Sequence, residues 1–328
     1  MDLKCRDCKE CNGLVCKGEI PGVGGKGRGL SFIRNVSKIK DITLNLDLLC
    51  NIKEIDTKTK LFNKPVAFPI YIAPIAGIKV NYGSPMTDVQ YTKELLLASK
   101  ELNTIVFTGD GIDIQNNFID MVSLANTLKI ESIPTMKPWI KEGIDIRVNN
   151  IKDYKYLAIA MDVDAAGLPL LKGNPIKVEG KSIDDLKQLK DCFKVPFIIK
   201  GVMTKQGALK AIEAQADAIV VSNHGGRVLD EALSTIEALK EIAPICKDKI
   251  TVLVDGGFRS GYDIFKALAL GADGVLIGRP VALSCINNSK DGVIEYFNKL
   301  VVELKDAMFM CGVDKIDDID IRHINVHF

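Results

Sequence analysis

Short apolar runs rich in β-branched residues recur along the chain near 66–73, 104–107, 130–135, 156–162, 196–200, 217–222, 250–255 and 273–277. Each is about the length of a strand and too short for a helix of ordinary size, and continuous apolar character marks a strand buried on both faces. Between them lie stretches with helical periodicity, at 86–102, 182–193, 204–215, 231–246, 260–271 and 292–311. Strands alternating with helices pair in parallel, and eight such units favour closure. The predicted fold class is therefore α/β, a (β/α)8 TIM barrel. An open doubly wound sheet is the alternative, since the third and fourth units carry the weakest pattern. Residues 30–64 are mixed and read as a short helix and a small hairpin that cap the bottom of the barrel. Residues 1–29 show no such periodicity and form a Cys/Gly-rich N-terminal extension, which divides the chain into 1–29 and a barrel over 30–328.

Composition narrows the class. The chain has 328 residues, 47% hydrophobic and 26% charged, with a net charge of +1. Those values suit a soluble globular protein, and the balance of charge gives no reason to expect nucleic acid or an anionic membrane as partner. The longest apolar run, Ala67 to Ile78, holds Pro69 and Pro74 and is too short to span a bilayer. Met1-Asp2-Leu3-Lys4-Cys5 lacks the apolar centre of a signal peptide, so a cytoplasmic protein is expected.

The chain has nine cysteines, and four of them, Cys5, Cys8, Cys11 and Cys16, crowd its start. Soft thiolates at two-residue spacing can wrap an iron–sulfur cluster or a zinc ion. Free thiols or a disulfide are the other readings. Lys4, Arg6, Lys9 and Lys17 would offset thiolate charge. Pro21 to Gly29 is dense in glycine and reads as a flexible connector.

The ends of the predicted strands carry polar residues where a purely structural strand would stay apolar. The fourth ends in Met161-Asp162-Val163-Asp164, the fifth in Lys200-Gly201, and the sixth in Ser222-Asn223-His224-Gly225-Gly226-Arg227. In a barrel these ends form the face that bears chemistry. A histidine there can take a proton near neutral pH, and an arginine can hold a carboxylate through its planar fork. After the seventh and eighth strands come Asp255-Gly256-Gly257-Phe258-Arg259 and Gly278-Arg279. Barrel phosphate sites are commonly built from these two loops, and backbone N–H groups with two guanidinium groups suit a mononucleotide phosphate.

Taken together, Phe68-Pro69-Ile70 through Ala76, Lys200-Gly201-Val202 with Thr204, Ser222 to Asp230 and Asp255 to Pro280 resemble the FMN-dependent α-hydroxy-acid oxidase and dehydrogenase family, which includes glycolate and lactate oxidases. The resemblance covers roughly residues 30–328. It implies oxidation of an L-2-hydroxy acid to the 2-oxo acid with FMN as cofactor. His224 is then the base, Asp162 its partner, Arg227 the carboxylate clamp and Lys200 the cation beside the flavin. Ala73, Pro74, Ile75, Ala76, Thr108 and Ser222 fall in the flavin site, with Asp255, Gly256, Gly257, Arg259, Gly278 and Arg279 at the ribityl and phosphate end. Homo-oligomers are also implied.

Four departures stand beside the resemblance. Residues 21–29 have no tyrosine where the family places one. Pro134-Thr135-Met136-Lys137-Pro138-Trp139 replaces a glutamine and a second tyrosine, and Lys137 is a candidate for a substitute cation. No arginine follows Asp162, and the segment from there to the fifth strand is short. The four-cysteine head is absent from the familiar oxidases, and a metal there would favour an electron-acceptor protein over oxygen. Two other readings stay open: a different FMN-barrel reaction resembling that of type 2 isopentenyl diphosphate isomerase, and a flavin- or metal-binding module whose substrate site has decayed.

Overall fold

A computed structural model describes residues 4–111 and 117–328. The central strands are β1 (Ile70–Ile72), β2 (Phe107–Thr108), β3 (Ile133–Met136), β4 (Ile159–Asp162), β5 (Phe197–Val202), β6 (Ala218–Val221), β7 (Thr251–Asp255) and β8 (Gly274–Ile277). Each overlaps one predicted run. They lie in the order β1-β8-β7-β6-β5-β4-β3-β2, with every neighbouring pair parallel. A parallel bridge joins Ile72 to Val106, and Ile72 N donates to Ile105 O at 3.0 Å. The sheet therefore closes into a barrel and leaves no open edge; the open-sheet alternative is not what forms.

The surrounding helices are α1 (Leu30–Lys40), α2 (Asp88–Leu102), α3 (Asn117–Leu128), α4 (Lys141–Ile151), α5 (Ile183–Asp191), α6 (Lys205–Glu213), α7 (Thr235–Cys246), α8 (Gly261–Ala269) and α9 (Arg279–Met310). Their starts are written locally. Thr87, Ser182, Ser234 and Ser260 each accept from the backbone three residues on, while Gln90, Asp185, Glu237 and Asp263 reach back, which satisfies two otherwise unpaired N–H groups at each start. The helix predicted over 292–311 is the second half of α9, which breaks at Asn288 and Ser289.

The hairpin expected in 30–64 forms from Thr59–Leu61 and Lys64–Val66. Leu61 and Val66 join Tyr71, Ile105, Ile133 and Ala158 in the barrel-interior cluster, so this hairpin does plug the bottom. The helix does not. Asn35 exchanges hydrogen bonds with Asn223 at 2.8 Å in both directions, and Lys266 Nζ donates to Ile39 O at 3.0 Å. These contacts hold α1 beside the loops after β6 and β7, toward the opposite end. The close approach depends on Gly226, since a Cβ there would lie 2.5 Å from Phe32 N.

The glycine-rich stretch is tied to the same end. Lys26 N donates to Gly226 O at 2.8 Å, and Arg279 Nε to Val23 O at 2.6 Å. Among the described residues, no helix is long and apolar enough to cross a membrane.

Candidate active site

Side chains alternate between the two faces of a strand, and this period places the site. Ala158 and Ala160 fill the barrel interior, as do Ile198, then Ala218 and Val220, and Leu253. The next inward positions, toward the C-terminal end, are Asp162, Lys200, Ser222 and Asp255. Asp162 and Lys200 are also direct partners in the β4–β5 register. The barrel is thus packed with apolar residues below and ends in a polar layer above.

That layer is tightly connected. Lys200 Nζ lies 3.0 Å from Asp162 Oδ1 and 3.3 Å from Asp255 Oδ2, and donates to Ser222 Oγ at 3.0 Å. Burial opposes the lysine charge, but Asp162 and Asp255 outweigh it and hold the ammonium above its ordinary range. His224 Nδ1 lies 3.3 Å from Asp162 Oδ2 and 3.2 Å from Asp164 Oδ1. Burial again opposes the cation, and the two carboxylates raise the imidazole pKa nonetheless. Asp162 sits well below its usual range: burial raises it, and His224 and Lys200 more than reverse that. Asp164 is pushed up to about 6 by burial and by Asp162. His224 adopts a left-handed backbone with φ 58°, uncommon for a non-glycine residue. The loop fixes it there: Asn223 Oδ1 accepts from Gly226 N at 3.0 Å, and His224 N donates to Ser222 Oγ at 3.1 Å.

Above this layer lies a cavity of about 1090 Å³. Ala73, Pro74, Ile75 and Ala76 form one part of its wall, and Asp255, Gly256, Gly257, Arg259, Gly278 and Arg279 another; Asp162, Lys200, His224 and Arg227 also face it. Two sequence candidates are not on the wall. Ser222 lies beneath it, bridging Lys200 and the His224 backbone. Thr108 is also set back, with a buried hydroxyl that has no partner.

Three guanidinium groups give the cavity its electrostatic character. Arg259 donates to the carbonyls of Cys11 and Phe258, and Arg279 to those of Val23 and Gly24. Arg227 Nη2 donates to Asn81 Oδ1 at 2.9 Å, while its buried Nε has no partner. Among the described residues none of the three pairs with a carboxylate. Burial and the nearby Arg279 bring the Arg227 pKa down to about 10. A buried cation without a counter-ion is costly, so the wall suits bound anions. The unpaired Thr108 hydroxyl, the unpaired Asp255 Oδ1 and the glycine-lined arginine end fit a mononucleotide with a phosphate at that end.

The wall also holds Lys137, the candidate substitute cation, and several residues that had no sequence signal. Asn81 and Tyr82 come from a short helix, Ile78–Tyr82, after β1. Burial pushes the Tyr82 phenol up to about 12, with Arg279 and Arg227 pulling the other way. Lys137 faces the cavity and donates from Nζ to Gly111 O. Leu168 and Leu170 line it from the short segment after β4. No disulfide forms among the described residues: Cys5, Cys8, Cys11 and Cys16 are all free thiols.

Comparison with known proteins agrees with this architecture. The FMN-dependent dehydrogenase family matches residues 23–95 and 171–326. The peroxisomal (S)-2-hydroxyacid oxidase GLO3 of Arabidopsis thaliana is 31% identical, over 92% of this chain and 90% of its own. A flavocytochrome b2 variant solved with pyruvate superposes with a TM-score of 0.81 at 26% identity, over 92% of this chain and 80% of that one. A mandelate oxidase variant solved with (S)-mandelic acid gives a TM-score of 0.76 at 25% identity, over 92% and 91%. The chain belongs to the FMN-dependent dehydrogenase family.

Proposed function

We propose that this protein oxidises an L-2-hydroxy acid of lactate or glycolate type to the 2-oxo acid, with FMN in the cavity above the polar layer. The observation that carries the reading is Arg227, a buried guanidinium with an unpaired Nε, on the same wall as a histidine backed by two carboxylates. One group is matched to a substrate carboxylate and the other to a substrate proton. The relatives solved with (S)-mandelic acid and with pyruvate hold a 2-hydroxy acid and a 2-oxo acid, which supports the same chemistry.

In this reading Arg227 fixes the substrate carboxylate by a charge-assisted hydrogen bond. Neutral His224 takes a proton from the substrate as the α-carbon is oxidised. Asp162 and Asp164 hold the resulting imidazolium. Bound FMN supplies the acceptor for the two electrons that leave the α-carbon. Lys200 keeps a fixed cation on the wall, where negative charge then collects. Asp255, Gly256, Gly257, Arg259, Gly278 and Arg279 would hold the ribityl and phosphate groups, and Ala73 to Ala76 the ring. Re-oxidation by oxygen, a quinone or an electron-acceptor protein closes the cycle.

The ordered contacts of His224 with Asp162 speak against a decayed site, and a base poised beside a carboxylate clamp speaks against an isoprenoid isomerase. We place the enzyme in the cytoplasm as a homo-oligomer, and the exposed Leu46, Leu48 and Leu49 support self-association.

The test is anaerobic mixing of the FMN-loaded protein with a panel of L-2-hydroxy acids. Bleaching of the flavin absorbance by at least one, lost in His224→Ala, is expected. A flavin that no member of the panel reduces would overturn the substrate class.

A further inference from the structure

Cys5, Cys8, Cys11 and Cys16 all line one second cavity, of about 1410 Å³. It adjoins the flavin cavity and shares Tyr82, Gly257, Arg259 and Arg279 with it. We propose that this second cavity holds a four-iron iron–sulfur cluster ligated by these four cysteines.

The donor set comes first. Four soft sulfur ligands from one short segment face a common space, and sulfur-only sites select iron–sulfur clusters or zinc. The spacing C-x2-C-x2-C is that of bacterial-type four-iron sites. In those sequences the fourth ligand comes from farther along the chain; here Cys16 is brought to the same wall by the fold of the segment.

Geometry separates the two metals. A tetrahedral zinc site with bonds of about 2.3 Å draws its sulfurs to within roughly 4 Å of one another. Among the described residues, Asp162, Asp164 and His224 are the group of three or more potential ligands whose donor atoms gather within 4.8 Å, and the four sulfurs form no such group. A mononuclear tetrahedral site would need a closer set, whereas the ligands of a polynuclear cluster bind different irons.

The surroundings are built for the segment and for the charge. Arg259 reaches across from the β7 loop, with Nη2 3.4 Å from Cys11 Sγ and Nε 3.1 Å from Cys11 O. A cationic N–H directed at a ligand sulfur is the outer-shell contact that holds and tunes such a group. The glycine-rich stretch folds back over the cysteines: a Cβ on Gly24 would lie 1.9 Å from Cys16 O, and one on Gly13 2.8 Å from the Phe32 ring. Glycine at these positions is thus what lets the segment close against the barrel. This account also explains two sequence features, the cysteine head and the glycine run, that the hydroxy-acid chemistry leaves unused.

The experiment uses the full chain purified without oxygen, before and after incubation with ferrous iron and sulfide. Iron, sulfide, zinc and flavin are measured, and electron paramagnetic resonance spectra are recorded after dithionite reduction. The expected result is ~4 iron and ~4 sulfide per chain, with a cluster signal. Cys8→Ser and Cys16→Ser each lose more than half of the iron and keep the flavin. Cys50→Ser and Cys192→Ser, at exposed cysteines away from the cavity, retain both. Stoichiometric zinc in place of iron, a disulfide among the four cysteines, or no iron after incubation would each overturn the proposal. Flavin without iron would do so while leaving the hydroxy-acid reading intact.

Discussion

Asp164 Oδ1 stands 3.2 Å from His224 Nδ1, beside Asp162 Oδ2 at 3.3 Å. One ring N–H therefore faces two carboxylates. The two are not equivalent. Asp162 also meets Lys200 and stays ionised, whereas burial and the Asp162 charge push Asp164 up to about 6. Asp162, Asp164 and His224 titrate as one unit.

The pH profile follows from this arrangement. His224 must be neutral to accept a proton, and burial notwithstanding, the carboxylates raise its pKa. The expected kcat/KM rises with pH through a midpoint above the ordinary histidine value of about 6.5. Asp164→Asn removes one of the two raising charges, so its midpoint moves down toward the ordinary histidine value. A midpoint unmoved by the substitution would show that Asp164 is not coupled to the base.

Stability has the same sign in this range. The folded pKa of Asp164, about 6, exceeds its unfolded value of about 3.9, so the folded state binds the extra proton. Stability from this group is lost as pH rises from about 4 through 6. His224, also raised when folded, stabilises fully below about 6.5 and loses that contribution as pH rises through its folded pKa. Asp162, held below its ordinary range when folded, contributes stability that is fully present above about pH 5, so it adds no slope between pH 5 and pH 8. Asp164→Asn deletes the first of these losses. Its melting temperature relative to wild type is therefore expected to climb between pH 5 and pH 8, as differential scanning fluorimetry would read. A constant difference across that range would contradict the assignment.

The barrel was legible because its signal is repeated: eight apolar runs alternate with helical patterns. Asp162, Lys200, His224 and Arg227 were legible because ionisable residues stand at the ends of apolar strands, where a purely structural strand would stay apolar, and because those stretches resemble the family. Asp164, Asn81 and Tyr82 were not. Asp164 lies on a 3-10 turn, Val163–Gly167, where no strand period reaches. Tyr82 ends a five-residue helix, too short to show a periodicity, and tertiary packing alone brings it to the cavity. The position of α1 was misread for a similar reason. Its amphipathic pattern shows that one face is buried, but not that the Asn35–Asn223 pair draws it to the loops after β6 and β7.

Arg227 is the test of the carboxylate clamp. A hydrogen bond to a charged group is worth about 1.5–3 kcal/mol, and one decade costs about 1.4 kcal/mol. Arg227→Ala is expected to weaken 2-oxo-acid binding, followed by flavin difference spectra, by one to two decades, with flavin content retained. The Lys variant recovers charge but not the planar fork and falls between. Equal binding in wild type and Arg227→Ala would move the carboxylate to another cation, with Lys137 as the first to examine.

At the cavity wall, Asp110 forms an ion pair at 2.7 Å with Arg147 behind it, the side chains 0% and 1% exposed. Asp110 Oδ2 also accepts from Trp139 Nε1 at 2.6 Å and from Lys137 N at 2.8 Å, and the Arg147 guanidinium stacks 4.6 Å from the Trp139 ring. This one carboxylate thus fixes both the chain after β3 and the side chain beneath it. Removing one member of a buried pair strands the other and costs about 3–5 kcal/mol. Arg147→Met is expected to lose that much in denaturant unfolding. Arg147→Met combined with Asp110→Asn removes both charges of the pair, so it should be less destabilised than the sum of the two single variants. Because Asp110 and Lys137 both face the cavity, the loss of Arg147 should also lower flavin affinity. If Arg147→Met unfolds within about 1 kcal/mol of wild type, far below the cost of a stranded charge, Asp110 is held by its neutral donors and the pair does not anchor this wall.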